Sequence, residues 1–328
     1  MGRARVKMGR IVLVFSFFLL ANTCAGKPQR RVESLAISPD GKLIALSYSS
    51  GDTTFIYTVA VDTGHAVRLT SAKTGKESRP SFAPDGKRIA YTYSAGKEAH
   101  SQIIIVNADG SNPQPWSPFQ VGDFGPVFSP DNKTIVFSRS GYFGSYSPIA
   151  QPHAHDWSIY AADLDGTNVR QLTNEHFYMA SAPSISADGT KLVIVAESPE
   201  TSQQFKIYSI AHPGDPLQTF QPHVPKEVSH KNPIFNCPNY LPDGSILFMA
   251  ADKRFNYDVY RVNPDTGAIE KLTNENGYAT NLQVSADGKT AVFLKWKRKR
   301  LEVTDESEIC MLDVESRKLT PVDVSGPN

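Results

Sequence analysis

Cysteine is scarce in this chain: three among 328 residues, at positions 24, 237 and 310, with no Cys-x-x-Cys spacing. A dithiol redox motif and a paired-thiolate zinc motif are therefore missing. If Cys24 leaves with a leader, Cys237 and Cys310 remain as an even pair in different repeats, and read as two small buried residues rather than a disulfide. A charge excess is also lacking. Lys and Arg number 34 against 33 Asp and Glu, a net charge of +1, so nothing pulls the whole chain toward nucleic acid or an anionic membrane. No Gly-x-Ser-x-Gly elbow, phosphate-cradling glycine loop or following hydrolase domain is present, which removes the commonest hydrolase and nucleotide-binding readings. No apolar run after residue 21 could span a bilayer, and helical periodicity is absent.

What is present begins with a leader. Arg3, Arg5, Lys7 and Arg10 precede an apolar run from Ile11 to Ala21, and small residues follow at Thr23 and Ala25. A basic head, a short apolar core and a small-residue exit predict a secretory signal peptide over residues 1–25, cleaved after Ala25 or Gly26. Residues before Cys24 match a lipobox poorly. A short lead-in, 26–33, then opens a repeat array over 34–328.

One phrase recurs six times: Ser38-Pro-Asp-Gly41, Ala83-Pro-Asp-Gly86, Ser129-Pro-Asp-Asn132, Ser186-Ala-Asp-Gly189, Leu241-Pro-Asp-Gly244 and Ser285-Ala-Asp-Gly288. Its aspartates stand at 40, 85, 131, 188, 243 and 287, separated by 45, 46, 57, 55 and 44 residues. That period is the length of a four-stranded propeller blade. Asp caps its own turn and Gly accepts positive φ. A β-branched strand follows each turn (Leu43–Leu46, Thr134–Phe137, Thr290–Phe293), then an Ile-Tyr strand, a second turn and a terminal Leu-Thr. The expected fold is all-β: a six-bladed β-propeller of four-stranded antiparallel blades, starting near 34, 79, 125, 181, 235 and 281.

The repeat Pro-x-Phe-Ser-Pro-Asp-Gly-Lys…Ile-Ala-Phe…Ile-Tyr…Asp-x-Asp-Gly…Arg-x-Leu-Thr resembles the TolB-type, WD-repeat-like propeller family. The resemblance covers the chain from about Ser34 and lacks the α/β domain that TolB carries ahead of its propeller. It implies a periplasmic or secreted protein that binds partner proteins, with the Asp-Gly and Leu-Thr positions structural and none of the motif residues catalytic.

With strands named A to D from the axis outward, antiparallel order puts A–B and C–D turns on one face. B–C loops and D–A connections then share the other. Six of the eight histidines (100, 153, 155, 176, 223, 230) fall on that second face; His65 and His212 do not. The surplus length of blades 3 and 4 lands there too, through Gly141–Trp157, Asn174–Tyr178 and Pro213–Asn236. Three readings of His153-Ala-His155-Asp156 stay open. His153 and His155 with His176 or Glu175, and with His230 at the channel mouth, could hold a divalent metal. His155 with Asp156 could move a proton. The imidazoles could also simply hydrogen-bond within an ordered loop. Tyr142, Phe143, Tyr146, Trp157, Phe177 and Tyr178 suit sugar stacking or a protein contact. The basic run Lys295–Arg300 is followed by Asp305, Glu306 and Glu308, and reads as a paired hairpin rather than a nucleic-acid patch.

The expected function is an exported binding platform for a protein or an envelope polysaccharide or peptide, as a monomer or part of an envelope complex, with no membrane span after cleavage. Its binding residues would be Tyr142, Phe143, Tyr146, His153, His155, Asp156, Trp157, His176 and Tyr178. No cofactor is required on this reading. The alternative is a metal-dependent propeller enzyme such as a polysaccharide lyase, with a divalent ion on His153, His155 and His176.

Overall fold

The computed structural model describes residues 30–325, apart from 73, 96–99, 119–121, 145–152, 174–176, 198–204, 212–225, 228–234, 252–255, 275–276 and 300–301. The described residues form 24 strands and no helix. The first four are β1 (Arg30–Ile37), β2 (Leu43–Ser50), β3 (Thr53–Ala60) and β4 (Ala66–Arg68). A second group holds β5 (Lys76–Phe82), β6 (Arg88–Ser94), β7 (Ser101–Asn107) and β8 (Gln114–Pro115), and a third β9 (Gly122–Phe128), β10 (Thr134–Gly144), β11 (His153–Asp163) and β12 (Arg170–Gln171). The fourth is β13 (Met179–Ile185), β14 (Lys191–Glu197), β15 (Phe205–Ala211) and β16 (Lys226–Glu227). Then come β17 (Phe235–Tyr240), β18 (Ile246–Ala251), β19 (Tyr257–Val262) and β20 (Ile269–Lys271), and finally β21 (Tyr278–Val284), β22 (Thr290–Lys299), β23 (Glu302–Asp313) and β24 (Leu319–Val322).

Within each group the four strands pair antiparallel with their neighbours in chain order. Single parallel bridges, Thr54↔Lys76 and Ser101↔Gly122, join the first three groups into one sheet. The first strand of each group contacts the first strand of the next, and β21 contacts β1. Apolar side chains alternate across each strand, so cores form between successive groups. Ala90, Ile103, Phe128, Ile135 and Phe137 fill the seam between groups two and three. Trp157, Ile159, Leu172, Phe177 and Leu192 fill the next. Val292, Leu294 and Ile309 of the last group pack against Leu35, Leu46 and Tyr57 of the first.

The recurring turn is held as its residues predict. Ser38, Ser129, Ser186 and Ser285 donate to the aspartate two residues on, at 2.6–2.7 Å. Backbone N–H groups of Lys42, Lys133, Thr190 and Lys289 donate to the same carboxylates. The Leu-Thr signature has an equally local cause. Thr70, Thr173 and Thr273 accept the N–H of Ile56, Ile159 and Val259, each 14 residues earlier, and so satisfy a donor that the short outer strand leaves unpaired.

Two features were not in the sequence pattern. Every inner strand shifts register once: at Glu33 in β1, and at residues 79–80, 125–126, 182–183, 237–238 and 281–282 in the rest. These are β-bulges, and Arg79, Gly125, Cys237 and Asn281 there have φ of 52°, 60°, 46° and 60°. The bulged strands exchange bonds. Arg79 N–H donates to Ser34 Oγ (2.9 Å), Gly125 N–H to Thr92 Oγ1 (3.0 Å) and Tyr240 N–H to Ser184 Oγ (3.0 Å). Asn239 donates to the Leu282 carbonyl (2.9 Å), and Asn281 to that of Glu33 (3.0 Å). The second feature is a clasp: Ser325 N–H donates to the Gly64 carbonyl (2.9 Å) and Ala66 N–H to the Ser325 carbonyl (3.1 Å).

Gly64 has φ 67°, and a Cβ there would meet the Asp323 carbonyl oxygen at 1.9 Å. At Gly189, φ 74°, a Cβ would meet nothing within 4 Å. Gly189→Ala is expected to cost only the left-handed backbone penalty, about 1–2 kcal/mol, whereas Gly64→Ala adds displacement of the clasp. Urea midpoints should therefore rank wild type, then Gly189→Ala, then Gly64→Ala.

Hydrogen bonds from Ser38, Ser186 and Ser285 hold Asp40, Asp188 and Asp287 below the usual carboxylate range. A depressed folded pKa gives stability that is complete above the unfolded value, about 3.9, and is lost as pH falls through the folded one. Urea midpoints should thus drop below about pH 4, and an Asp40→Asn, Asp188→Asn, Asp287→Asn triple variant should drop less steeply there. Parallel pH profiles would refute this origin.

Candidate functional site

The surplus length of the third group is a hairpin. Strands β10 and β11 run on past β9, pairing Tyr142↔His155, Phe143↔Ala154 and Gly144↔His153. Residues 141–144 and 153–157, expected in a loop, are therefore strand. Aromatic residues favour that conformation, and the cross-strand pair Tyr142–His155 fixes it, with rings stacked at 6.1 Å and 25°. His155 is buried, and its Nε2 lies 3.1 Å from the Gly144 carbonyl oxygen. The ladder breaks only at Gly141 and Asp156. Asp156 has φ 60°, and its carboxylate sits where a Cβ on Gly141 would be, 2.8 Å away. Ser140 Oγ bridges this break from 2.8 Å below the His155 carbonyl.

Trp157 was expected at the surface and lies in the core. Its ring packs on Phe124 at 5.3 Å, its indole N–H donates to the Ala154 carbonyl (3.1 Å), and its backbone exchanges two hydrogen bonds with Phe177. That bridge sets Tyr178, one residue on, beside the hairpin. Tyr142, Phe143 and Tyr178 are 47%, 43% and 51% exposed, and are the exposed large aromatics among the described residues. Tyr146, His176 and the His153 side chain lie outside the described residues, as do His223, His230 and most of Pro213–Asn236. Among the described residues no three of His, Cys, Asp and Glu converge as a metal site. The second basic feature is also a hairpin, in which Lys295 faces Glu308 and Lys299 faces Glu302.

Below the hairpin lies a charged pair that the sequence reading missed. Arg139 donates from Nε and Nη2 to the two Asp123 oxygens, at 2.7 and 3.0 Å, and its guanidinium lies 5.2 Å from the Phe137 ring and 5.1 Å from Tyr160. Burial lowers the Arg139 pKa, but the bonds to Asp123 outweigh it and the net shift is upward. The second group places Glu77 at the same point, where Thr70 donates to it; burial raises its pKa, partly offset by that bond. The available signal was an acid eight residues before the turn aspartate, where the other repeats have Val32, Ala180, Phe235 and Ala279. Arg79, on its bulge, is a third missed group. Its guanidinium Nη1 stands 3.7 Å from where a Gly125 Cβ would be, and it lies within electrostatic range of Cys237.

With this geometry in view, residues 23–153 match the family model described as the TolB beta propeller domain. Over that stretch, under half of the chain, it resembles a TolB-type β-propeller. Its fold is similar to TolB from Acinetobacter baumannii, with TM-score 0.62 and 17% identity over 90% of this chain and 64% of that one. The chain thus spans under two thirds of that relative. A second match, a chain from Agrobacterium tumefaciens assigned as TolB, has TM-score 0.62 and 18% identity over 80% of this chain and 86% of that one. An oligogalacturonate lyase in complex with manganese gives TM-score 0.58 and 14% identity over 89% and 77%. At these identities the likeness is one of fold. No curated protein sequence matches the chain.

Trp157→Ala is expected to cost about 3–5 kcal/mol in denaturant unfolding, while Tyr178→Ala should change stability by no more than about 0.5 kcal/mol. Equal effects would mean that Trp157 does not hold the seam between the third and fourth groups.

Proposed function

We propose that the six strand groups are the blades of a closed six-bladed propeller, exported to the periplasm or beyond, that binds a protein or cell-envelope polymer. The contact surface is the rim formed by the B–C hairpins and D–A connections of blades 3 and 4. The observation that carries this reading is that Tyr142, Phe143 and Tyr178 are large aromatic side chains left exposed on elements joined by the Trp157–Phe177 bridge. Exposed rings of this kind give large contact area at low entropic cost and dominate interface energetics. The basic head and short apolar run of residues 1–21 support export. Resemblance to TolB, whose propeller binds partner proteins, supports a protein ligand.

The manganese-bound lyase among the similar folds favours a second reading, metal-assisted cleavage of an acidic polysaccharide at His153, His155 and His176. Against it, His155 Nε2 is committed to the Gly144 carbonyl and would have to break that bond to ligate through this nitrogen. Metal analysis of purified protein separates the two readings, because stoichiometric manganese or zinc removed by His155→Ala would favour the lyase.

For the binding reading, the full chain should be immobilised and challenged with envelope extract. Triple replacement of Tyr142, Phe143 and Tyr178 by alanine should abolish capture of whatever the wild type retains, while unfolding midpoints stay unchanged. Retention of the same species by the triple variant would move the interface elsewhere.

A further inference from the structure

Arg79 occupies a position no structural role explains. It stands on the bulge of β5 in a left-handed conformation that β-strand arginine seldom adopts. Among the described residues its guanidinium has no hydrogen-bonding or ionic partner. The acids two residues before the bulge on its own strand and on the next inner strand are engaged elsewhere, Glu77 by Thr70 and Asp123 by Arg139. The guanidinium lies beside Gly125 of the third group and within electrostatic range of Cys237 of the fifth. Groups two and five are three steps apart in a cycle of six, so such an interaction passes through the middle of the ring. The residue is half-buried, and the surrounding protein lowers its pKa by burial.

A cation placed there without a counter-charge is costly. The groups placed beside it are neutral: the Gly125 backbone and the Cys237 thiol, which burial keeps protonated by raising its pKa. The missing counter-charge is thus a single negative one, and the donor fork of a guanidinium matches a planar two-oxygen acceptor.

We propose that the axial channel is a binding site for one monovalent carboxylate, held by Arg79. A dianion such as hydrogen phosphate would leave one charge uncompensated in the same enclosed space, so carboxylate is the preferred class. The site is separate from the aromatic rim, and its test does not involve the rim's partner.

The probe is acetate, titrated against the full mature chain at constant ionic strength with chloride as the balancing ion, and melting temperature is read. The wild type should gain stability saturably, as a ligand that binds only the folded state requires. Arg79→Gln should weaken the apparent acetate affinity at least tenfold, and in chloride alone it should melt no lower than the wild type, because it removes an uncompensated charge. Arg79→Lys, which keeps the charge and loses the fork, should fall between the two. In unaltered protein, acetate should also slow alkylation of Cys237 by N-ethylmaleimide, followed by peptide mass mapping. An unchanged acetate response in Arg79→Gln, or none in the wild type, would overturn the site. Equal or stronger stabilisation by phosphate through Arg79 would overturn the carboxylate assignment. A large loss of stability in Arg79→Gln in chloride would show Arg79 to be a structural residue instead.

Discussion

First strands that pack against one another from group to group cannot all be regular, and the bulge in each of them is how this chain resolves the crowding. A bulge adds a residue on one side of a ladder, increases local twist and leaves backbone groups without an in-sheet partner. Here those groups find partners in the adjacent strand group, through Ser34, Thr92, Ser184, Asn239 and Asn281. The same distortion that bends each strand therefore also ties it to the next. It determines as well which side chains turn inward, Arg79 among them.

How much was legible depended on range in sequence. The Asp-Gly turns and the Leu-Thr ends were readable because their bonds span two to fourteen residues and recur with the same residue types. The bulge was not, because Ser34, Arg79, Gly125, Ala182, Cys237 and Asn281 share no chemistry at that repeat position. A left-handed backbone there is imposed by neighbouring strands, not by local preference. The glycine-rich stretch Gly141–Gly144 read as loop for the opposite reason: its pairing partner, His153–His155, lies across a gap that local signals cannot bridge. Trp157 read as a surface aromatic, and residues distant in sequence bury it, among them Phe124 and Phe177, 33 residues before and 20 after it. Two segments of the candidate rim that read as loop are thus strand.

Blades that share one template differ where charge is buried. Asp123 with Arg139, and Glu77 with Thr70, stand where the other repeats carry valine, alanine or phenylalanine. A buried ion pair seldom adds stability over an apolar pair of the same shape. These two lie on neighbouring inner strands, directly flanking Arg79. Their effect is to keep both of these acids occupied, so neither is available to Arg79.

The clasp between Ser325 and Gly64 bears on the order of events during folding. No strand is exchanged between the first and last groups, since β1 to β4 pair among themselves. What seals the seam joins residues 261 positions apart, together with the long-range packing of Val292, Leu294 and Ile309 on Leu35 and Leu46. The strand group that emerges first from the ribosome must therefore wait, with one apolar side uncovered, until the last has been delivered. Such a molecule closes late and all at once, and during that interval its first blade is the part most in need of a chaperone's cover.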